Sequence, residues 1–402
     1  MSVKEKFMRY IQLDTTSHEE SNTIPSTQCQ FALAKLLKDE LTAMNVQNVR
    51  ADEHCYVYGE IPANAENQPV IGLIAHMDTV DSVPASPMHA RSFLYEGGDI
   101  VLNAEKHIVM REKEFEALKT LRGQELIVTD GTTLLGADDK AGVAEIMAAA
   151  EYILTHPEMK HGKIMLGFTP DEEIGRGPDM FDVPGFGADF AYTVDGGAPD
   201  EIEYENFNAA AASVTVHGLS IHPGSAKNKM VNALKLAIEL NGMLPPRECP
   251  ENTEGYEGFY HLCSLSGEEQ QAVIKYIIRD HDAEKFEQKK IRFQKIVDYL
   301  NDKYGAGTFE LAIRNQYRNM REIIENKMEV IERAKAAITA CKMTPKCVPI
   351  RGGTDGATLS YKGLPCPNLG TAGGNCHGVY EYASVNGMET VVNILLEIVR
   401  AR

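Results

Sequence analysis

The sequence lacks the features of a protein that binds nucleic acid or a membrane. Its 402 residues include 40 Lys and Arg against 58 Asp and Glu, a net charge of -18 at pH 7, whereas an anionic partner requires basic surface. No apolar run approaches the length of a membrane span, and the N-terminal MSVKEKFMRYIQ has charges where a signal peptide needs an apolar core. We therefore expect a cytoplasmic protein without a nucleic-acid or membrane partner. The acidic balance favours a small-molecule ligand, or serves solubility alone.

The sequence also lacks paired cysteines, repeats and low-complexity tracts. Its eight Cys residues are scattered, without the close CxxC pairs of a zinc knuckle or a redox site. We expect reduced, mostly buried thiols. The length of 402 residues allows two or three domains.

What the sequence does contain is a set of apolar segments that end in His, Asp or Glu. The run VIGLIAHMDTV, residues 70–80, ends in His76 and Asp78, which is typical of a strand buried on both faces in a parallel sheet. Three further segments have the same form and end at Asp171–Glu173, Asp195 and His377. Each alone could be a polar turn or a helix cap, but together they are hard to explain as independent caps. In open α/β sheets ligands bind at this edge.

Two adjacent carboxylates, Asp138 and Asp139, precede a helix-like segment in GTTLLGADDKAG, residues 131–142. Alone, this stretch predicts a helix cap, because a carboxylate accepts free backbone N–H groups at a helix start. With the strand-end residues as partners, a metal-binding role for Asp138 becomes the stronger hypothesis, and the two roles need not exclude each other.

Five of these residues form a ligand set for divalent metal ions: His76, Asp138, Glu173, Asp195 and His377. Imidazole and carboxylate are ligands that zinc takes in catalytic sites. One ion would be saturated by three or four such groups, so five favour two ions that share a carboxylate. Two ions about 3.5 to 4 Å apart can activate water and polarise a carbonyl, which accelerates hydrolysis at neutral pH.

Two further carboxylates have roles that support this site. Asp78 lies two residues from His76, a suitable spacing for a group that orients the imidazole through its distal N–H. Glu172 neighbours Glu173 and is a candidate general base that takes a proton from water and passes it to the leaving amine. The alternative for this glutamate pair is a charged helix start.

The pattern changes over residues 206–317, where segments follow the order β-α-β-β-α-β of a ferredoxin-like unit. Residues 320–342 then predict a long helix that returns the chain to the first domain. We predict an α/β catalytic domain over 1–206 and 319–402, with a mixed, mostly parallel sheet. An inserted ferredoxin-like α+β domain would span 207–318.

Five motifs resemble the metal-site motifs of the zinc-dependent aminoacylase and carboxypeptidase G2 superfamily of metallopeptidases. They are HMDTV at 76–80, GADDKAG at 136–142, PDEEIG at 170–175, VDGG at 194–197 and NCHG at 375–378. Longer stretches are similar to the tripeptide aminopeptidases of that superfamily, namely TDGTTLLGADDKAG, HPGSAKNKMVNA, IRGGTDGA and YEGGDIVLN. The resemblance covers essentially the whole chain. It implies a zinc-exopeptidase-like catalytic domain with the inserted domain as a lid.

The resemblance also implies how these residues share two Zn²⁺ ions per subunit. One ion would be held by His76, Asp138 and Asp195, and the other by His377, Asp138 and Glu173. Asp138 would bridge the ions, Asp78 would support its neighbouring histidine and Glu172 would be the base. The family has a cis peptide after the bridging aspartate, which is the Asp138–Asp139 bond here.

Substrate-binding residues follow from the same resemblance. His222 on the lid would stabilise the oxyanion that forms at the scissile carbonyl. Arg279, and Arg351 with Gly353 and Thr354, would bind the C-terminal carboxylate of the peptide, for which an Arg fork is well shaped. From the residues alone these assignments stay open, because a lone Arg is usually a surface residue and RGGTDG could be only a turn.

The leading prediction is a dizinc aminopeptidase that releases the N-terminal residue from tripeptides, with a homodimer as the candidate assembly. The nearest alternative is a related dizinc amidohydrolase, such as a dipeptidase, a carboxypeptidase or an N-acyl amino acid deacylase, because the metal motifs do not distinguish these. A non-catalytic peptide-binding relative is a further alternative. A phosphoesterase is disfavoured because no basic or Gly-rich phosphate cradle is present apart from RGGTDG. No acidic residue outside the metal set indicates a partner for the free amine.

Overall fold

The computed structural model describes all residues, 1–402. The chain forms two compact units. The first comprises residues 1–204, 322–348 and 354–402, and the second comprises residues 205–321 and 349–353. The predicted insertion, 207–318, lies within the second unit, which extends a few residues beyond it on each side. The short segment 349–353 also belongs to this unit, because Ile350 N donates to Glu205 O at 2.8 Å.

The helices and strands have the following bounds. The helices are α1 (Val3–Tyr10), α2 (Gln30–Ala43), α3 (Ala137–Thr155), α4 (Val183–Phe186), α5 (Ala233–Met243), α6 (Ala283–Tyr304), α7 (Arg321–Ile324), α8 (Met328–Ala340), α9 (Asp355–Tyr361) and α10 (Val385–Val399). The strands are β1 (Gln47–Ala51), β2 (Val57–Ile61), β3 (Ile71–His76), β4 (Arg91–Leu94), β5 (Ile100–Asn103), β6 (Ile108–Met110), β7 (Glu125–Val128), β8 (Ile164–Thr169), β9 (Phe190–Gly196), β10 (Glu201–Glu205), β11 (Asn208–His217), β12 (Phe259–Gly267), β13 (Gln271–Asp280), β14 (Phe309–Tyr317), β15 (Lys346–Pro349), β16 (Asn368–Gly370), β17 (Gly373–Gly374) and β18 (Tyr382–Ser384).

The first unit is built on an eight-stranded sheet with the order β1-β2-β8-β3-β9-β16-β10-β15. The four central strands, β8, β3, β9 and β16, pair in parallel, whereas β1, β2 and β10 pair antiparallel. Every residue of β3 and β8 is buried, as the continuous apolar runs predicted. The prediction of an α/β domain with a mixed sheet is confirmed.

A smaller sheet of the first unit has the order β17-β18-β7-β4. The loop between β17 and β18 carries His377, and β7 leads into the segment that ends at Asp138. Because β18 pairs with β7, with Tyr382 opposite Val128, this sheet brings two distant parts of the chain together.

The second unit contains a four-stranded antiparallel sheet with the order β12-β13-β11-β14. Its elements run β11, α5, β12, β13, α6, β14 along the chain, which is the predicted β-α-β-β-α-β order. Its core combines inward-facing strand residues, such as Val214 and Ile274, with the apolar stripe of α6, such as Phe293 and Leu300.

Two local predictions were wrong. The helix predicted over 320–342 is interrupted at Glu325–Lys327 by a single 3₁₀ turn, because the Lys327 backbone leaves the helical region, with a φ of -142° and a ψ of 38°. The cysteines are free but not mostly buried. Only Cys55 and Cys366 are buried.

No helix has both the length and the apolar character that a membrane span requires.

One buried carboxylate of the first unit has no partner. Glu145 on α3 is 0% exposed, and neither of its oxygens accepts a hydrogen bond. Burial raises the pKa of Glu145 well above its usual value near 4.5, because the charged form is poorly solvated there. Above about pH 4.5 the unfolded chain has released this proton while the folded chain keeps it, so rising pH favours unfolding.

We expect Glu145→Met to stabilise the metal-free protein at pH 8 by about 1 to 3 kcal/mol, the cost of an unsatisfied buried polar group. The substitution should also reduce the loss of stability between pH 5 and pH 8. Urea unfolding followed by circular dichroism measures both effects. Glu151→Met on the same helix is the control, because Glu151 is paired with Lys6 at 2.9 Å and its loss should not stabilise the fold. An unchanged or lower midpoint for Glu145→Met would contradict this interpretation.

Candidate metal centre

Seven side chains meet where the central strands of the first unit end. His76 is the last residue of β3, and Asp195 lies near the end of β9. Glu172 and Glu173 follow β8 in a short 3₁₀ turn. The set is completed by Asp78, Asp138 and His377. Because β8, β3 and β9 are parallel neighbours, their carboxyl ends meet at one edge of the sheet, as the sequence predicted.

Asp138 stands between the two imidazoles. His76 Nε2 lies 2.9 Å from Asp138 Oδ1, and His377 Nε2 lies 3.1 Å from Asp138 Oδ2. His76 Nε2 is also 3.5 Å from Asp195 Oδ1, and His377 Nε2 is 3.1 Å from Glu173 Oε2. Each oxygen of Asp138 therefore faces a different histidine, and each histidine has a second carboxylate beside it.

This geometry fits two divalent ions. Zinc bonds of 2.0 to 2.1 Å in a tetrahedron place ligand atoms about 3.3 Å apart, close to the four distances between histidine nitrogens and carboxylate oxygens. The ligand atoms of His76, Asp138 and Glu173 lie within 4.8 Å of one another. Glu173 Oε1 is buried without a hydrogen-bond partner, a cost that a bound cation would remove.

Asp139 differs from Asp138 in what it contacts. Its Oδ2 accepts the His76 backbone N–H at 3.2 Å, and its Oδ1 accepts Gly142 N–H at 3.2 Å. It also lies within ligand distance of His76 and Asp195. Since its oxygens already bind backbone N–H groups, Asp139 takes the helix-cap role, and Asp138 is the better candidate for the shared ligand. The peptide bond between the two aspartates is cis, as the resemblance implied.

The charges of the ligands are strongly coupled. Burial opposes the charged form of Asp138, but hydrogen bonds with His377 and His76 hold its pKa well below the usual range. Hydrogen bonds to Asp138 and Glu173 raise the pKa of His377 to about 10. Burial raises the pKa of Glu173 to about 7 and that of Asp195 to about 6. The imidazoles and the buried carboxylates of this cluster therefore shift one another's pKa values.

Asp78 does more than orient one histidine. Its Oδ1 lies 3.3 Å from His76 Nδ1, although the same nitrogen is also 3.1 Å from the Asp78 backbone carbonyl. In addition, the Asp78 carboxylate accepts the backbone N–H groups of Glu172 at 2.9 Å and Glu173 at 3.2 Å. One buried carboxylate therefore fixes the end of β3 against the turn that carries the candidate base.

Asp171, which the sequence placed at a strand end without a role of its own, anchors the same turn. Its carboxylate accepts Ser26 N–H at 2.7 Å and the Gln30 side-chain amide at 2.7 Å. Asp171 is also a non-glycine residue with a φ of 57°, a conformation that is uncommon without such support. Burial and the negative charge of Asp195 raise the pKa of the adjacent Glu172 well above its usual value.

The predicted substrate residues lie apart from this cluster in the chain. His222, Arg279, Arg351 and Gly353 belong to the second unit, and Thr354 belongs to the first. His222 is exposed, and its Nδ1 accepts Gly224 N–H at 3.2 Å. Buried Arg279 donates to Ala210 O at 3.1 Å and to Ile278 O at 3.0 Å. Their roles in binding substrate stay predictions.

The other three predicted residues already make contacts within the fold, namely Arg351, Gly353 and Thr354. Arg351 Nη1 donates to the carbonyls of Gly255 and Glu257 at 2.8 and 3.0 Å, so this nitrogen holds a loop of the second unit. A side chain at Gly353 would meet the Tyr317 ring at about 2.8 Å. Thr354 is the N-cap of α9.

Comparison with known proteins gives matches over the whole chain. A family model described as peptidase family M20/M25/M40 matches residues 130–401. Peptidase T of Clostridium novyi (strain NT) is 52% identical over 400 residues, covering 99% of this chain and 98% of the relative. Peptidase T of Geobacillus thermodenitrificans (strain NG80-2) is 50% identical over 398 residues, covering 98% and 97%.

Solved structures show the same fold. Aminopeptidase PepT from Bacillus cereus has a TM-score of 0.77 at 22% identity, covering 99% of this chain and 97% of that chain. A tripeptidase from Staphylococcus aureus has a TM-score of 0.79 at 20% identity, covering 99% and 96%. A dinuclear metal-binding peptidase of the M20 family from Bacillus subtilis has a TM-score of 0.62 at 14% identity, covering 98% of each chain.

We expect Asp138→Ala to lose both metal ions together, because each of its oxygens faces one of the two ligand groups. His377→Ala should mainly weaken one ion. Zinc per chain, measured by elemental analysis after removal of free metal, checks both. Asp39→Ala, at an exposed position on α2, makes the same chemical change away from the site and should bind zinc like the unaltered protein. Equal losses in Asp138→Ala and His377→Ala would count against a shared Asp138.

Proposed function

The chain belongs to peptidase family M20/M25/M40, and from this premise we propose that it is a dizinc aminopeptidase that releases the N-terminal residue from tripeptides. The resemblance that the sequence motifs predicted is confirmed by two relatives about 50% identical over nearly the full length, both named peptidase T. The observation that carries the proposal is the position of Asp138, with each carboxylate oxygen beside a different imidazole.

We propose that His76, Asp138 and Asp195 hold one Zn²⁺ ion and that His377, Asp138 and Glu173 hold the other. Support comes from the two carboxylates beside each histidine, and from the orphaned Glu173 Oε1. When bound, such a pair of ions supplies Lewis acidity that activates water and polarises a carbonyl.

Glu172 is the proposed general base. Its backbone N–H is held by Asp78 at 2.9 Å, so the turn that presents its side chain is fixed. Burial raises the pKa of Glu172, a direction that suits a carboxyl group that must both take and return a proton. The proton that Glu172 removes from water would pass to the nitrogen of the leaving group.

His222 is the proposed donor to the oxyanion. Because its Nδ1 accepts Gly224 N–H, a neutral ring carries its proton on Nε2, which leaves that N–H available to a developing negative charge. For the substrate carboxylate we propose Arg279 and Arg351 with Gly353 and Thr354. Both arginines already donate through Nη1 to backbone carbonyls, so a substrate carboxylate would need the remaining N–H groups of either side chain.

Tripeptide specificity is supported by the peptidase T relatives and by the tripeptidase among the solved structures. A related dizinc amidohydrolase stays the alternative, because the ligand set does not determine which end of the substrate is recognised.

A cytoplasmic location, a homodimeric assembly and a contribution to peptide catabolism are part of the same proposal.

The zinc-loaded protein should hydrolyse a tripeptide such as Ala-Ala-Ala and reject its N-acetylated form, because an aminopeptidase needs a free amine. Product analysis should show free alanine and a dipeptide as the first products. The Glu172→Gln variant should keep two zinc ions and lose activity by about 100-fold or more, which controls for a contaminating peptidase. Cleavage of the blocked peptide at an equal rate would favour the amidohydrolase alternative and contradict the proposed function.

A further inference from the structure

Glu381 is a buried carboxylate outside the set of proposed ligands. It is 1% exposed and lies immediately before β18. Its Oε2 accepts the backbone N–H groups of Leu135 at 3.0 Å and Gly136 at 2.7 Å. Its Oε1 accepts the backbone N–H of Asp138 at 3.0 Å. Three N–H groups from one short loop thus converge on a single side chain.

The conformation of that loop explains why it needs an anion. Gly136 has a φ of +75°, a left-handed conformation that turns successive backbone N–H groups toward the same side. These groups come just before the regular part of α3 and have no carbonyl partner within the helix. A carboxylate satisfies them with charge-assisted hydrogen bonds, whereas an amide would present an N–H₂ group to at least one N–H donor.

The same side chain belongs to the segment that carries His377. Glu381 lies four residues after His377, and its backbone N–H donates to Gly378 O at 3.3 Å. Asn375 and His377 have φ values of 56° and 67°, a left-handed conformation that is uncommon for non-glycine residues. In the same segment the Asn375 side chain donates to Tyr380 O at 3.2 Å. Glu381 therefore joins the end of the His377 loop to the backbone of Asp138.

We propose that Glu381 is a positioning residue, whose carboxylate holds the backbone of Asp138 and the His377 loop in the register that two metal ions require. This inference rests on the proposed function, because it assumes that Asp138 and His377 are ligands. Glu381 itself is neither a metal ligand nor a substrate contact. It acts through the backbone of Asp138, as the partners of metal ligands commonly do.

A purely structural role makes a different prediction. If Glu381 only caps the loop before α3, its loss would lower the stability of the fold but leave zinc affinity unchanged in the molecules that remain folded. If it positions the ligands, its loss would weaken both ions, whereas His377→Ala weakens mainly one. Zinc affinity of the folded protein separates the two roles.

The experiment compares Glu381→Gln with Glu112→Gln. Glu112 is a matched control in the same unit, because its carboxylate also accepts a backbone N–H, that of Gly98 at 2.7 Å, but has no contact with the metal ligands. Calorimetric titration of the metal-free proteins with Zn²⁺ gives the affinity for each ion. Circular dichroism shows that each variant is folded before titration.

We expect Glu381→Gln to bind both ions about 10- to 100-fold more weakly and Glu112→Gln to bind them within twofold of the unaltered protein. At saturating Zn²⁺, kcat for a tripeptide should fall with little change in KM. The visible spectrum of the Co²⁺-substituted variant should also change, because the ligand geometry is altered. Unchanged affinity for both ions in folded Glu381→Gln would overturn the proposal.

The shorter Glu381→Asp variant gives a second measurement of zinc affinity if the Gln variant does not fold. Aspartate keeps the charge but cannot reach all three N–H groups, so its zinc affinity should lie between those of the Gln variant and the unaltered protein. Failure of both variants to fold would show a general stability role and would overturn the positioning role. If the unaltered protein itself bound fewer than two ions, the proposed function would fail, a result distinct from either outcome.

Discussion

The site depends on one carboxylate that is shared by two histidines. Asp138 places one oxygen 2.9 Å from His76 and the other 3.1 Å from His377. Burial at the end of the sheet disfavours the charged carboxylates, and the raised pKa values of Glu173 and Asp195 are the consequence. Two divalent cations would compensate the same carboxylates while leaving the histidines neutral, the form in which they bind metal.

Holding this arrangement requires contacts outside the ligand set. Asp78 ties the end of β3 to the turn of Glu172 and Glu173, and Glu381 ties the backbone of Asp138 to the segment after His377. Each uses a buried carboxylate to accept backbone N–H groups. Such contacts fix the backbone from which a ligand projects, so the ligands are oriented before any ion binds.

The sequence predicted the ligand residues of the site better than the contacts that hold those residues in place. Apolar strands that end in polar residues revealed His76 and Asp195, because both strand burial and ligand position depend on local sequence. The contacts of Glu381 were not predictable, since they join segments 243 residues apart in sequence and depend on a left-handed Gly136. The interrupted helix at Glu325–Lys327 was missed because apolar periodicity does not register a single non-helical residue, here Lys327 with a φ of -142°.

The central claim is that Asp138 bridges two metal ions, and anomalous diffraction from crystals of the zinc-loaded protein tests it most directly. The account predicts two anomalous peaks about 3.5 to 4 Å apart, with one Asp138 oxygen bound to each ion, His76 on one ion and His377 on the other. A single peak, or two peaks of which only one has Asp138 as a ligand, would contradict it.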